Sequence, residues 1–492
     1  MNELMNLAVK LTICLFGWSG LLFSAPAEPE PVPVRLHVTS QETDHSSPWK
    51  RTRESARAGY GCVISPGRIL TTADIVKDAT MIKVEKRGEK RYYQGRVEVI
   101  DYDVDLATVS VEDESFFNDL SPVELAETVE LDQPVQFLVF AEPDRIRAIP
   151  GAIVKVSVEE YYLSPDRFLT FGAAVNFEDR GGGWSEPVVA GGELVGLTMT
   201  YDGQRQYAVI IPAAIIRRFL PEIKPEGYAG FPDPGFFSVP TRDPAFRKFL
   251  QLPDNGGGIY ITSVYPRSSA DGVLEAGDVL LAVDGRPLDL EGYYEDTRWG
   301  RLDYRDLFTR FYSPGDRVKL ELVRDGETVK LEMVLRRWLL SDYLIPPYSG
   351  REPTKYLIVG GVIIQELTRD YLREWGNQWV RRGNKKLLYH NYYNSRRIGP
   401  GRERVVLLNR VLPDEVNLGY QGLEDLVLAE VNGRPIGGIE DVAEALRFPE
   451  GEFHRFRFEE FDREIVFRAA DLEEADRRIA DQYEIPRLRL LE

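Results

Sequence analysis

The stretch Gly59-Tyr60-Gly61-Cys62-Val63-Ile64-Ser65-Pro66-Gly67-Arg68-Ile69-Leu70-Thr71-Thr72-Ala73-Asp74-Ile75-Val76 decides how the rest of this 492-residue chain is read. An apolar strand breaks at Ser-Pro-Gly, a second strand returns, and a short apolar segment carrying one carboxylate follows. Outward to about Leu220 the pattern persists as short Val- and Ile-rich runs separated by Gly, Pro and Asp. Met81-Ile82-Lys83-Val84, Val135-Gln136-Phe137-Leu138-Val139-Phe140 and Ala152-Ile153-Val154-Lys155-Val156 are examples. Strands of that length and spacing predict an all-β sandwich or a pair of barrels. Two further segments stand out, Asp101-Tyr102-Asp103-Val104-Asp105-Leu106-Ala107 and Gly182-Gly183-Trp184-Ser185-Glu186-Pro187, the latter just ahead of Val188-Val189.

These three segments resemble the HtrA/Deg branch of the trypsin-like serine proteases. There the first run reads G-x-G-[FV]-[IV]-I-x-x-x-G-x-I-L-T-x-x-H-V-V, and its histidine is the general base. The second is D-x-x-x-D-L-A, whose second aspartate orients that histidine, and the third is G-N-S-G-G-P, with the nucleophilic serine. By this resemblance the base slot holds Asp74 and the orienting aspartate is kept as Asp105. Anchored on Pro187, the serine slot holds Trp184, with Ser185 adjacent. Gly192-Glu193-Leu194-Val195-Gly196-Leu197, then Tyr207-Ala208-Val209-Ile210-Ile211-Pro212 and an apolar helix, fit the family again.

A serine hydroxyl attacks only when a base that titrates near the working pH takes its proton. A carboxylate with a reference pKa of about 4 is too weak for that role, and like charge from Asp105 only raises it. His37, His45, His390 and His454 are the only histidines, and all lie outside these segments. None of the slots Asp74, Asp105 and Trp184, nor Ser185 beside them, is expected to function in catalysis, and the Trp184 side chain is expected to fill the vacated nucleophile space. The expectation is a pseudoprotease that binds polypeptide segments or C-termini as scaffold, sensor or regulator in protein quality control. An active HtrA-type endopeptidase and a structural envelope adaptor are the alternatives.

An internal repeat occupies the C-terminal half. Val283-Asp284-Gly285-Arg286-Pro287-Leu288 recurs as Val431-Asn432-Gly433-Arg434-Pro435-Ile436, each copy ending an apolar strand in a tight turn. Around the first copy, Gly258-Ile259-Tyr260-Ile261-Thr262-Ser263-Val264, Ser268-Ser269-Ala270 and Leu274-Glu275-Ala276-Gly277-Asp278-Val279-Leu280 resemble the PDZ pattern of HtrA proteins. The second copy carries Leu423-Glu424-Asp425-Leu426 where Gly-Asp would stand and is read as degenerate. PDZ domains bind a peptide as an added strand, with loop amides receiving its carboxylate. By resemblance that loop is Gly235-Phe236-Phe237-Ser238-Val239.

The predicted fold is therefore mainly β with α+β modules, a trypsin-like double β-barrel followed by two PDZ-like domains. The expected boundaries are a signal peptide over 1–27, a linker and N-terminal segment over 28–58, the protease-like domain over 59–222, the first PDZ domain over 228–338 and the second over 345–492. Lys10, the apolar run Leu11 to Phe23 and Ala25-Pro26-Ala27 carry the signal-peptide reading. The run is too short for a membrane span, so export to the periplasm or exterior is expected, with no stable membrane span. Without the leader, Cys62 is the one cysteine, which excludes an intramolecular disulfide.

The net charge of −18 argues against nucleic-acid binding by the whole protein. No cofactor and no metal are expected. Asp101, Asp103, Asp105 and Glu112 have part of a calcium-loop spacing, but the required glycine is Leu106. An insertion over 376–404 holds Arg381, Arg382, Lys385, Lys386, Arg396, Arg397, Arg402 and Arg404 against Glu403, interleaved with Trp379, Tyr389, Tyr392 and Tyr393. It is read as a solvated insertion or a dock for an acidic partner. Expected partners are unfolded polypeptides or protein C-termini, with homo- or hetero-oligomers of HtrA-type relatives possible in principle.

Overall fold

The computed structural model describes residues 32–141, 145–178, 182–225, 227–253, 256–350, 353–459 and 464–491; the leader expected over 1–27 lies outside them. The first barrel contains β1 (Pro33–Ser40), β2 (Ser55–Ser65), β3 (Arg68–Thr71), β4 (Ala79–Glu85), β5 (Tyr93–Asp101) and β6 (Leu106–Val111), closed in the order β1-β2-β3-β6-β5-β4. The second contains β7 (Pro134–Ala141), β8 (Arg145–Glu160), β9 (Arg167–Val175), β10 (Pro187–Ala190), β11 (Glu193–Asp202) and β12 (Tyr207–Pro212), closed as β10-β11-β12-β9-β8-β7.

The segment over 28–58, expected as a linker and N-terminal segment ahead of the barrel domain, supplies β1, which closes the barrel by pairing with both β2 and β4. Val34, Leu36 and Val38 are buried while Arg35 and His37 take the other face. That is the period-2 signature of a half-buried strand, obscured in the sequence by the charged residues of the outer face. In β2, Gly61 lies so close to β3 that a Cβ would sit 2.6 Å from the Leu70 carbonyl oxygen. Gly61 thus marks a close approach of backbones.

The second barrel is continuous with the first PDZ-type module. Its sheet is built from the strands Phe236–Pro240, Ile259–Val264, Val279–Val283, Arg317–Arg324 and Glu327–Val334, with the helix Arg305–Phe311 beside it. A hairpin of Tyr293–Asp296 and Gly300–Asp303 carries Trp299 onto the barrel, 5.6 Å edge to face from Phe171. The Trp299 indole N–H donates to the Val129 carbonyl at 2.8 Å. One hydrophobic core runs from Phe137 and Phe171 to Phe308 and Leu320.

The second module repeats the plan. Val406–Val411, Glu424–Val431, Phe453–Phe458 and Ile465–Arg468 continue a sheet that begins at Val362–Glu366, with the helix Ile439–Ala445 packed beside it. Both repeat turns hold positive φ at their two central residues, 46° and 74° at Asp284 and Gly285, 52° and 70° at Asn432 and Gly433. That geometry suits the right-handed twist of the flanking strands. The polar helix Ala469–Gln482 follows, and Arg489–Leu490 returns to pair with Tyr356–Leu357. No helix among the described residues is long and apolar enough to cross a membrane.

Candidate functional site

Asp74 lies on the short helix Ala73–Val76 that follows β3, and Asp105 ends the turn into β6. Asp105 holds a left-handed φ of 48° and is fully buried. Its Oδ1 accepts the Asp74 N–H at 2.8 Å, and its carbonyl accepts the Ala73 N–H at 3.2 Å. Its Oδ2 is buried without a partner among the described residues. Burial first, then the Asp74 charge, push the Asp105 carboxyl well above the ordinary carboxylate range. The two bonds from the Asp74 and Ala73 amides fix the Asp105 turn against the start of the Ala73–Val76 helix.

The four histidines are engaged elsewhere. His37 meets Glu85 at 2.7 Å, His45 lies edge-on to Tyr371, His390 meets Asn394 at 3.3 Å and His454 meets Asn432 at 2.9 Å.

The loop 182–187 departs from the expectation. Trp184 does not fill the vacated space; its side chain is 44% exposed. Its backbone fixes the loop, with the carbonyl accepting the Tyr60 N–H at 2.8 Å. Ser185 turns the other way, fully buried, and its Oγ accepts the Thr72 N–H at 3.0 Å with Thr71 Oγ1 3.3 Å away. Its φ of 66° is left-handed, at the position where the family motif has glycine after the serine. This conformation suits glycine, and it agrees with the alignment anchored on Pro187.

Glu186, which the sequence reading passed over, occupies the interior. Its carboxylate is 1% exposed, and Oε2 accepts the N–H of Gly183 at 3.2 Å and of Trp184 at 3.1 Å. Burial pushes its carboxyl up to about 7, against the amides that hold it down. The available signal was an acidic residue standing at the motif's last glycine.

The folded carboxyl keeps its proton up to about pH 7, whereas an ordinary one releases it near 4.5. The native state therefore binds more protons than the unfolded chain across that window, and stability falls as pH rises through it. Glu186→Gln should remove this dependence, the wild type losing roughly 2–3 kcal/mol more than the variant across the window. Urea unfolding at several pH values reads it, and parallel profiles would show that Glu186 is not buried against its loop.

Cys62 is buried, and burial pushes its thiol up to about 12. The acidic stretch before β6 has protein partners. Asp101 meets Arg337 at 3.4 Å, and Asp103 accepts from Tyr348 and Ser164, each at 3.2 Å. Among the described residues no cluster of His, Cys, Asp and Glu has the arrangement to hold a metal.

In the first PDZ-type module, Gly235 holds a φ of 80°, and a Cβ there would collide with the Ser268 side chain. The Gly235 N–H donates to Asp233 Oδ1 at 2.6 Å, and its carbonyl accepts from Tyr265 N–H and Ser268 Oγ. Phe236 stacks on Tyr304 at 5.9 Å and meets Phe308 at 6.5 Å, while Phe237 is half exposed. Ser238 Oγ lies 3.0 Å from the Tyr304 hydroxyl, and Val239 is half-buried. The strand Phe236–Pro240 pairs with Ile259–Val264, and its other edge is unpaired among the described residues. A cavity of about 130 Å³ opens at its start, lined by Phe236, Phe237, Tyr265, Tyr304, Arg305 and Arg396 among others.

The second module differs at the same place. Its equivalent strand, Val362–Glu366, pairs with Val406–Val411 on one side and with Tyr356–Val359 on the other. Tyr356–Leu357 is covered in turn by Arg489–Leu490. The edge that is open in the first copy is filled in the second by the chain itself, through a turn at Gly360-Gly361.

Two closed β-barrels followed by PDZ-type modules define the trypsin-like fold class with PDZ domains. Residues 345–489 match the PDZ_3 family, a PDZ domain. The chain is 28% identical over 434 residues to "Protease Do-like 2, chloroplastic" of Arabidopsis thaliana, covering 87% of this chain and 69% of that one. It is 24% identical over 446 residues to "Protease Do-like 4, mitochondrial" of the same plant, covering 89% and 81%. Among solved structures it is similar to the HtrA-type protease AlgW with a decapeptide, at 18% identity over 63% of this chain and 97% of that chain, with a TM-score of 0.47. The chain is thus similar along most of its length to Do-like proteases, with a PDZ domain over 345–489.

Proposed function

We propose that this protein is an HtrA/Deg member without serine-peptidase chemistry, which binds polypeptide C-termini or unfolded segments through its first PDZ module. The observation that carries the reading is the Glu186 carboxylate seated on the Gly183 and Trp184 amides. It occupies donors that a developing oxyanion needs free. Asp74 in the base slot and the buried Ser185 support the same reading. The binding role rests on the open edge of Phe236–Pro240 and the cavity at its start, against the self-covered edge of the second module. The N-terminal apolar run supports action after export, as a scaffold or sensor in protein quality control.

The test uses the full chain, because the first module shares its core with the second barrel. A short apolar peptide with a free C-terminus should bind with micromolar affinity, about −8 kcal/mol. Amidation should weaken binding several-fold, since charge-assisted bonds are the stronger ones. Gly235→Val should do the same by disturbing the loop against Ser268. Equal binding of free and amidated peptides would refute carboxylate capture.

A further inference from the structure

The basic insertion divides into an inward and an outward half. Inward, Arg396 pairs with Asp166 and, at 2.7 Å, with Asp233; Arg402 and Lys386 reach Glu459 at 2.6 and 3.2 Å; Arg404 donates to the Tyr343 carbonyl at 2.7 Å. Outward, Arg381, Arg382, Lys385 and Arg397 are exposed, with no ion-pair partner among the described residues.

Aromatic rings share the outward half. Trp379 lies parallel to Tyr392, 6.3 Å away and 1° from coplanar, and Tyr389 lies 5.1 Å from Tyr393. Tyr389, Tyr392 and Tyr393 are each more than half exposed. Tyr392 and Tyr393 stand on a π-helical turn, His390–Asn394, whose His390 and Asn391 are buried. Such turns are rare and concentrate at functional sites. The rings form a platform anchored from below, with unpaired cations around it.

The platform adjoins the mouth of the first PDZ module. Tyr393 precedes Arg396 in the same short segment, so their Cα atoms are at most about 11 Å apart. Arg396 and Tyr265 both line the cavity at that mouth, and Arg397 lies near enough to Tyr265 for its charge to act on it. A chain leaving the mouth needs only a few extended residues to reach the rings.

We propose that this aromatic and basic patch receives the acidic stretch of a polypeptide whose C-terminal residue enters the first PDZ module. The ligand class is then a C-terminal segment with an apolar end and carboxylates upstream of it. The inference rests on the PDZ reading above. Charge complementarity selects the occupant. In a chain of net charge −18 these unpaired cations are a local exception, matched to a few carboxylates. A nucleic acid draws its affinity from many neutralised phosphates, and most of this protein would repel it. Apolar or aromatic residues among the carboxylates would lie on the tyrosine rings, where the cations flank them.

Two peptides test it on the full-length protein, both with the same apolar free C-terminus, one with Asp and Glu upstream and one with Ser and Gly. By fluorescence anisotropy at low salt, the acidic peptide should bind roughly tenfold tighter. That advantage should vanish at high salt and in the variant Arg381→Ala, Arg382→Ala, Lys385→Ala, Arg397→Ala. The neutral peptide should bind wild type and variant alike, which also reports that the variant is folded. Equal affinity of the two peptides for the wild type, or an advantage that survives in the variant, overturns the proposal while leaving the PDZ reading intact. Failure of both peptides to bind overturns the PDZ reading and this one with it. A single-stranded oligonucleotide that outcompetes the acidic peptide on the wild type and not on the variant assigns the patch to nucleic acid and overturns it equally.

Discussion

Asp74→His combined with Trp184→Ser should leave the protein inert towards an unfolded substrate such as casein, and only the further change Glu186→Gly should bring turnover. The first two substitutions restore the base and the nucleophile of the family motif. Histidine at 74 would also give a donor to Asp105 Oδ2, which now lies buried without one. The third obstacle is invisible in a list of triad residues. In the serine-protease template the nucleophile's own amide is one of the oxyanion donors. Here the Trp184 amide, together with that of Gly183, is held by Glu186. A carboxyl group there occupies the donors, and above about pH 7 its charge also repels the one that develops in the transition state. One such donor contributes roughly 100- to 1,000-fold in kcat, so the triple variant should exceed the double by at least about that factor. Casein digestion and labelling by a fluorophosphonate probe read it. Wild-type turnover lost on Ser185→Ala, or a double variant as active as the triple, would refute the account.

Arg396→Met should produce the largest loss of stability of the substitutions considered. Arg396 forks between Asp166 of the second barrel and Asp233 of the first PDZ loop, and it donates to the Tyr343 hydroxyl at 3.1 Å. Its guanidinium lies 5.7, 5.6 and 5.2 Å from the rings of Tyr265, Trp338 and Tyr343. Removing it leaves two carboxylates in a poorly solvated junction with no cation between them, a loss of about 3–5 kcal/mol. Arg396→Lys should recover only part, because an ammonium lacks the planar fork that serves both acids. Adding Asp166→Asn and Asp233→Asn to Arg396→Met should recover more, since it removes the stranded charges. Urea unfolding measures all of these. A loss under about 1 kcal/mol for Arg396→Met would mean that water already screens the pair.

How much of this was legible in the sequence depends on the kind of information each feature needs. The opening strand pair could be read because an apolar run breaks at Ser65-Pro66-Gly67 and a second apolar run returns. The repeat turns could be read because Asp-Gly and Asn-Gly favour positive φ at both centres. The family resemblance added the slot assignments, and the left-handed Ser185 at a glycine position agrees with them. β1 escaped because its outward residues, Arg35, His37 and Thr39, are polar, so the segment read as polar although Val34, Leu36 and Val38 are buried.

The sequence by itself determined the fold class, the repeat and the absence of an imidazole beside Asp105, because each follows from residue identity and short spacing. Only the tertiary structure decided which way the loop's side chains point and what covers each edge. Trp184 faces solvent and Glu186 faces inward because the backbone turns left-handed at Ser185. The second PDZ edge is filled by Tyr356–Val359 and the first is open. Arg396 joins acids from two other modules, at sequence separations where no local pattern carries a signal. Side-chain direction and long-range pairing are set by how the whole chain packs, and a linear pattern records only which face of an element is apolar.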